Sequence, residues 1–179
     1  MMSDGFNPIV FCRFVPTVDM LVSILQEDRA FKGVHIEGIT GRLNPEERVR
    51  RIESLAPLSD TRKILIATDC LAEGINLQDY FNAVIHYDLS WSPTTHEQRE
   101  GRVDRFGQTS PEVRALSLVG LNNRIDGYVA KIIIEKQRTI RASLGISVPA
   151  PDASKAISQA ITDGWLGQAP DRFRQIKLF

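Results

Sequence analysis

Residues 8–27 read PIVFCRFVPTVDMLVSILQE, and the hydrophobic period changes inside them. Pro8 to Phe14 is a short apolar run of the kind that forms a buried strand. From Thr17 to Glu27 the apolar residues fall at Val18, Leu21, Val22 and Leu25, a helical stripe. A strand that runs straight into a helix is the first half of a strand–helix–strand unit, and the chain goes on to repeat it.

Val34 to Ile39 is the second strand. Asn44-Pro45-Glu46-Glu47 then opens a helix to about Leu55. Asn44 serves as cap, Pro45 suits the first helical position, and Glu47 stands where a capping box closes. Lys63 to Thr68 (KILIAT) is the third strand, followed by a loop or turn of helix over Asp69 to Gln78. Asn82 to Asp88 is the fourth. Ser92-Pro93 repeats the cap-then-proline signal and opens a helix through about Arg105. Glu112 to Val119 is the fifth strand, and Ile125 to Leu144 a long helix. Strands alternating with helices specify an α/β fold, a mostly parallel sheet with helices on both faces. The working surface of such a sheet lies at the carboxyl ends of its strands, in the loops after Phe14, Ile39, Thr68 and Asp88.

Past Leu144 the character changes. Pro149 and Pro151 bracket a small linker, Asp152 to Ile161 forms a short capped helix, and GWLGQAPDRFRQIKLF has no clear period. The expected organisation is therefore one α/β unit over residues 1–147 and a linker with a helical or irregular tail over 148–179.

The bulk composition of the 179 residues, 42% apolar and 25% charged, is ordinary for a globular domain. It excludes a disordered tail, a collagen-like chain and a disulfide scaffold. Lys+Arg and Asp+Glu are both 22, so the net charge is zero. That argues against polybasic binding of nucleic acid and leaves room for a local basic groove. Cys12 and Cys70 fit a reducing compartment, and both read as small core hydrophobes. With His35, His86 and His96 dispersed, no metal site is expected. No apolar run reaches the roughly 18 residues of a membrane helix, and Met1 to Gly5 carries no signal-peptide pattern, so the expected location is cytoplasmic.

Two segments carry chemistry. In EQREGRVDRFGQ, residues 97–108, a continuing helix places Gln98, Arg102 and Arg105 at i, i+4 and i+7 on one face. Gly101 lets a backbone or ligand come close. Such a face is either a solvated charged surface or an anion site, and two guanidiniums on one rigid element suit the equatorial oxygens of a phosphate. The second segment is TDCLAEGINL, residues 68–77, directly after the KILIA strand. Thr68 and Gly74 can donate hydrogen bonds to phosphate, and Asn76 can reach a sugar hydroxyl. A capped strand-to-helix turn would use the same Thr-Asp. Arg42, Arg48, Arg50, Arg51, Arg62 and Lys63 concentrate charge in one region, read as a solvated helix face, with a nucleic-acid contact as the alternative.

In order and spacing these two segments resemble motifs V and VI of superfamily-two helicases. The chain is similar to the second RecA-like lobe of the Swi/Snf-type ATPases from Pro8 to Leu144. Phe11, Phe14, Asp19 and Leu21 match the motif IV region; Gly41 and Arg48 match the next glycine–arginine pair. Thr68, Gly74, Asn76 and Leu77 match motif V. Trp91-Ser92-Pro93, Gln98, Gly101, Arg102, Arg105, Gly107 and Gln108 match motif VI. The resemblance implies that Arg102 and Arg105 are arginine fingers on the ATP γ-phosphate, with Gln98 at the phosphate region or orienting them. It places Gly74, Asn76 and Gly101 on the nucleotide side of an interlobe cleft, and Thr68, Phe14 and Arg13 against the nucleic-acid strand. Leu71-Ala72 stands where the Swi/Snf pattern has a glycine pair, and with Thr68-Asp69 leans toward DEAD-box RNA helicases.

The sequence contains no G-x-x-x-x-G-K-[ST] phosphate loop. The resemblance therefore implies that ATP and Mg²⁺ are bound mainly by an N-terminal RecA-like lobe of the same protein, that the chain is a piece of a longer one, and that alone it hydrolyses nothing. Double-stranded DNA is the expected partner. The alternatives are a DEAD-box-like RNA helicase lobe and a non-catalytic RecA-like binding module.

Overall fold

A computed structural model describes residues 1–55, 61–71, 76–90, 92–120 and 174–177. In chain order the elements are β1 (Pro8–Phe11), α1 (Val15–Glu27), β2 (His35–Ile39), α2 (Pro45–Glu53), β3 (Lys63–Ala67), β4 (Ala83–His86), α3 (Pro93–Glu100), β5 (Arg114–Val119) and β6 (Arg174–Lys177). The strands form one sheet in the order β2-β3-β1-β4-β5-β6. The first five are parallel, and β6 runs antiparallel to β5. This is the expected α/β architecture.

Successive residues of a strand point to opposite faces, so strands buried on both sides need apolar residues throughout. Ile9, Phe11, Leu65, Ala67 and Val84 enter one core, with Ile52 of α2 and Leu71, Leu77, Phe81 and Val103 from the loops. Val10, Cys12, Ile64 and Ile66 enter the other, against Val18 and the partly buried Leu21, Val22 and Leu25 of α1. Fully burying each large apolar side chain contributes about 1.5–3 kcal/mol. At the amino ends of the strands two asparagines staple the backbone. The Asn7 N–H donates to Asn82 Oδ1 at 2.8 Å, the Lys63 N–H donates to Asn7 Oδ1 at 3.0 Å, and Asn82 Nδ2 donates to Ser110 Oγ at 3.3 Å.

Several local expectations are corrected. Asn44 caps α2, accepting from the Glu47 N–H at 2.8 Å, but the Glu47 carboxylate turns to Arg51 Nη2 at 3.0 Å instead of closing a capping box. The basic region is not a uniformly solvated face. Arg48 donates to the Leu43 and Cys70 carbonyls, Arg51 pairs with Glu37 and Glu47, and Arg42 pairs with Asp19. Lys63 is buried, its ammonium near the Leu55 carbonyl and over the Tyr80 ring. α3 stops at Glu100, not near Arg105, and Ser92 makes no side-chain cap bond. Beyond Gly101 the chain tightens into i→i+3 turns, Arg102 N–H to Arg99 O and Val103 N–H to Glu100 O. The tail, expected to be helical or irregular, contributes strand β6 at the sheet edge. The helices expected over Ile125–Leu144 and Asp152–Ile161, and the 147/148 boundary, lie outside the described residues.

Candidate active site

At the carboxyl ends, β1, β3 and β4 are held together by backbone bonds. Cys12 N–H donates to Ala67 O at 2.8 Å, Tyr87 N–H to Phe11 O at 3.0 Å, and Arg13 N–H to the Asp88 carboxylate at 2.8 Å. A cleft of about 210 Å³ opens over this edge, lined by Phe11, Asp69, Leu71, Thr95, Gln98, Arg99 and Arg102. Its floor is the end of β1, one wall is the turn after β3, and the other is α3.

α3 presents polar residues inward, because its buried side falls at His96 and Arg99 and continues to Val103. Arg99 is only 4% exposed. Its Nε and Nη2 donate to the two Asp69 carboxylate oxygens at 2.7 and 2.9 Å, and Nη1 donates to Asp88 O at 3.2 Å. The guanidinium also lies 5.4 Å from the Phe11 ring centroid. One side chain thus ties α3 to the exits of β3 and β4, over the end of β1. A second tie lies one residue on, where His86 Nε2 meets Glu100 Oε1 at 3.0 Å. His86 packs against His96 with ring centroids 4.4 Å apart. Burial, then the adjacent His86 ring, pushes the His96 imidazole down to about 4. Burial, then the Arg99 charge, also holds His86 well below the usual histidine range, against the pull of the Asp69 carboxylate. Burial, then the nearby Asp88 charge, pushes the Cys12 thiol up to about 12, which leaves it inert.

The structure brings Gln98 and Arg102 together on the cleft wall. It does not place Arg105 there: Arg105 is exposed in the turn after α3, so the expected single helical face carrying Gln98, Arg102 and Arg105 is absent. Gly101 is exposed, and a Cβ there would meet Glu97 O at 3.1 Å, so its local demand comes from the helix end. Thr68 is buried at 7% exposure, and its N–H bonds Ile39 O, so a contact to a nucleic-acid backbone needs the β3 exit to open. Asn76 is exposed, while Gly74 lies outside the described residues. Phe14 is 56% exposed, with the Arg13 guanidinium 5.3 Å from its ring centroid, at the β1 exit and off the cleft wall. The pairing of Asp69 with Arg99 escaped the sequence reading. The signal was a helical stripe of His96, Arg99 and Val103, which reads as polar until the acid on the facing loop is known.

Among the described arginines that are not exposed, Arg48, Arg51, Arg99 and Arg114 have internal acceptors. Arg102 is half-buried on the cleft wall, and its side chain has no hydrogen-bond or ion-pair partner among the described residues. Half burial without a counter-charge is a poor resting place for a guanidinium and a good place to receive an anion.

Residues 1–107 match the helicase conserved C-terminal domain family. The chain is 39% identical over 74 residues to an uncharacterized ATP-dependent helicase, YqhH, of Bacillus subtilis, covering 41% of this chain and 13% of that protein. It is 35% identical over 99 residues to a probable ATP-dependent RNA helicase of Mycoplasma pneumoniae, covering 55% of this chain and 22% of that one. It therefore spans a small part of the curated relatives it matches. The solved C-terminal part of the Fun30 ATPase domain shares the fold, with a TM-score of 0.63 at 20% identity over 92% of this chain and 48% of that chain. The C-terminal domain of the DEAD-box protein Dbp5 superposes with a TM-score of 0.55 at 27% identity, covering 73% of this chain and 69% of that one. With the family match spanning more than half of the chain, on a sheet whose strands β1 to β5 are parallel, the chain belongs to the helicase conserved C-terminal domain family of superfamily two.

Proposed function

We propose that the chain is the second motor lobe of an ATP-dependent translocase of Swi/Snf type acting on double-stranded DNA. Arg102 and Arg105 meet the γ-phosphate of an ATP held with Mg²⁺ by an N-terminal lobe of the same protein. Gln98 contacts the phosphate region, Gly74, Asn76 and Gly101 border the nucleotide, and Thr68, Phe14 and Arg13 face the nucleic-acid backbone. Because Arg105 sits in a solvent-exposed turn, it reaches the nucleotide only when the lobes close. The observation that carries the reading is the half-buried, unpartnered Arg102 beside Gln98 at the carboxyl edge of a parallel sheet. The guanidinium neutralises charge that develops on the transferring phosphoryl group, an effect worth about 10³–10⁵ in turnover. Arg102→Ala and Arg105→Ala in the native polypeptide are each expected to lower kcat for ATP about a thousandfold, with a far smaller change in KM. Undiminished turnover in both variants contradicts the proposal.

A second reading, an RNA helicase lobe, is favoured by the 35% identity to an RNA helicase of Mycoplasma pneumoniae and by Leu71-Ala72 in motif V. Stimulation of ATP hydrolysis by RNA and not by duplex DNA would select it.

A further inference from the structure

The cleft holds one acid and two guanidiniums: Asp69, Arg99 and Arg102 all line it. Half of the Asp69 side chain is open to solvent, whereas Arg99 is buried. Arg99 takes both Asp69 oxygens through Nε and Nη2 and spends Nη1 on the Asp88 carbonyl. The fork is rigid and planar, and it takes one bond to each Asp69 oxygen and balances the acid's charge. Arg102 keeps no counter-charge among the described residues, although a carboxylate stands in the same small cavity. A guanidinium next to a free carboxylate would pair with it, and an incoming phosphate would then have to displace that pair.

We propose that Arg99 is a positioning residue that occupies Asp69 and so keeps Arg102 available to an anionic ligand. The inference deepens the functional reading above and rests on Arg102 being the group that meets the phosphate. Arg99 itself does not touch the nucleotide. Through Asp69 and the Asp88 carbonyl it also fixes where α3 ends, two residues before Arg102.

A shielding role makes a prediction that a purely structural role does not. Removing the shield exposes the acid, and removing the acid as well relieves the damage. In the native polypeptide, Arg99→Gln is expected to lower kcat for ATP by about a hundredfold, as Asp69 captures Arg102. Arg99→Gln combined with Asp69→Asn is expected to return within about threefold of wild type. If Arg99→Gln melts below the assay temperature, Arg99→Lys takes its place. Its single ammonium covers the acid less completely, so it gives a loss of about tenfold, again relieved by Asp69→Asn. A double variant as impaired as the single, or an Arg99 variant with wild-type turnover, overturns the inference. Arg102→Ala in the same assay separates the two claims. Lost turnover in Arg102→Ala with a silent Arg99→Gln removes the shielding alone, and undiminished turnover in Arg102→Ala removes the functional reading and the shielding with it.

Discussion

His96 and His86 face each other under the end of α3, and both are held neutral by burial. An unfolded histidine titrates near 6.5, whereas folded His96 titrates at about 4. The unfolded chain therefore binds more protons between these values, and stability falls as the pH drops from about 6.5 toward 4. A single such group gives a slope of up to about 1.4 kcal/mol per pH unit. Urea midpoints of the 179-residue chain should decline across that window, and His96→Gln, which can still accept from the Ser90 N–H, should flatten the decline. A slope identical in the variant and the wild type would show that His96 does not contribute to the acid sensitivity. The neighbouring guanidinium works in the same direction: Arg99 lowers both imidazole values, so its own pair with Asp69 and the neutral histidines belong to one electrostatic arrangement.

At the level of elements, α2 is short and polar, and its start matters more than its propensity. Asn44 accepts from the Glu47 N–H, and Asn44→Ala is expected to cost about 1 kcal/mol, seen as a fall in Tm of about 2–4 °C. An unchanged Tm would mean that packing of Ile52 and Leu55 sets this helix alone. The cap was legible in the sequence because its signal is local, as were the strands, whose apolar runs need no knowledge of the partner strand. The end of α3 was not legible. Periodicity ran on through Arg102 and Arg105, but tertiary contacts at Arg99, Glu100 and Val103 tightened the backbone into turns. For the same reason the sequence could set Gln98 and Arg102 on one face, while the pair of Arg99 with Asp69, thirty residues away along the chain, had no local signal. The antiparallel β6 was also missed, since a four-residue edge strand without a period has no signature before its partner β5 is in place.

Taken whole, the chain carries a cleft lined by Gln98, Arg99 and Arg102 at the carboxyl ends of its parallel strands, and its sequence holds no phosphate loop. A lobe of this kind, on the reading proposed here, contributes transition-state charge to a reaction whose other half is supplied across the cleft. ATP hydrolysis by the native polypeptide, measured without nucleic acid, with duplex DNA and with RNA for wild type and Arg102→Ala, is the decisive experiment for the proposed motor role. Turnover is expected to rise with duplex DNA in the wild type and to be lost in the variant under every condition. Hydrolysis that neither nucleic acid stimulates, or that Arg102→Ala leaves intact, would contradict that role.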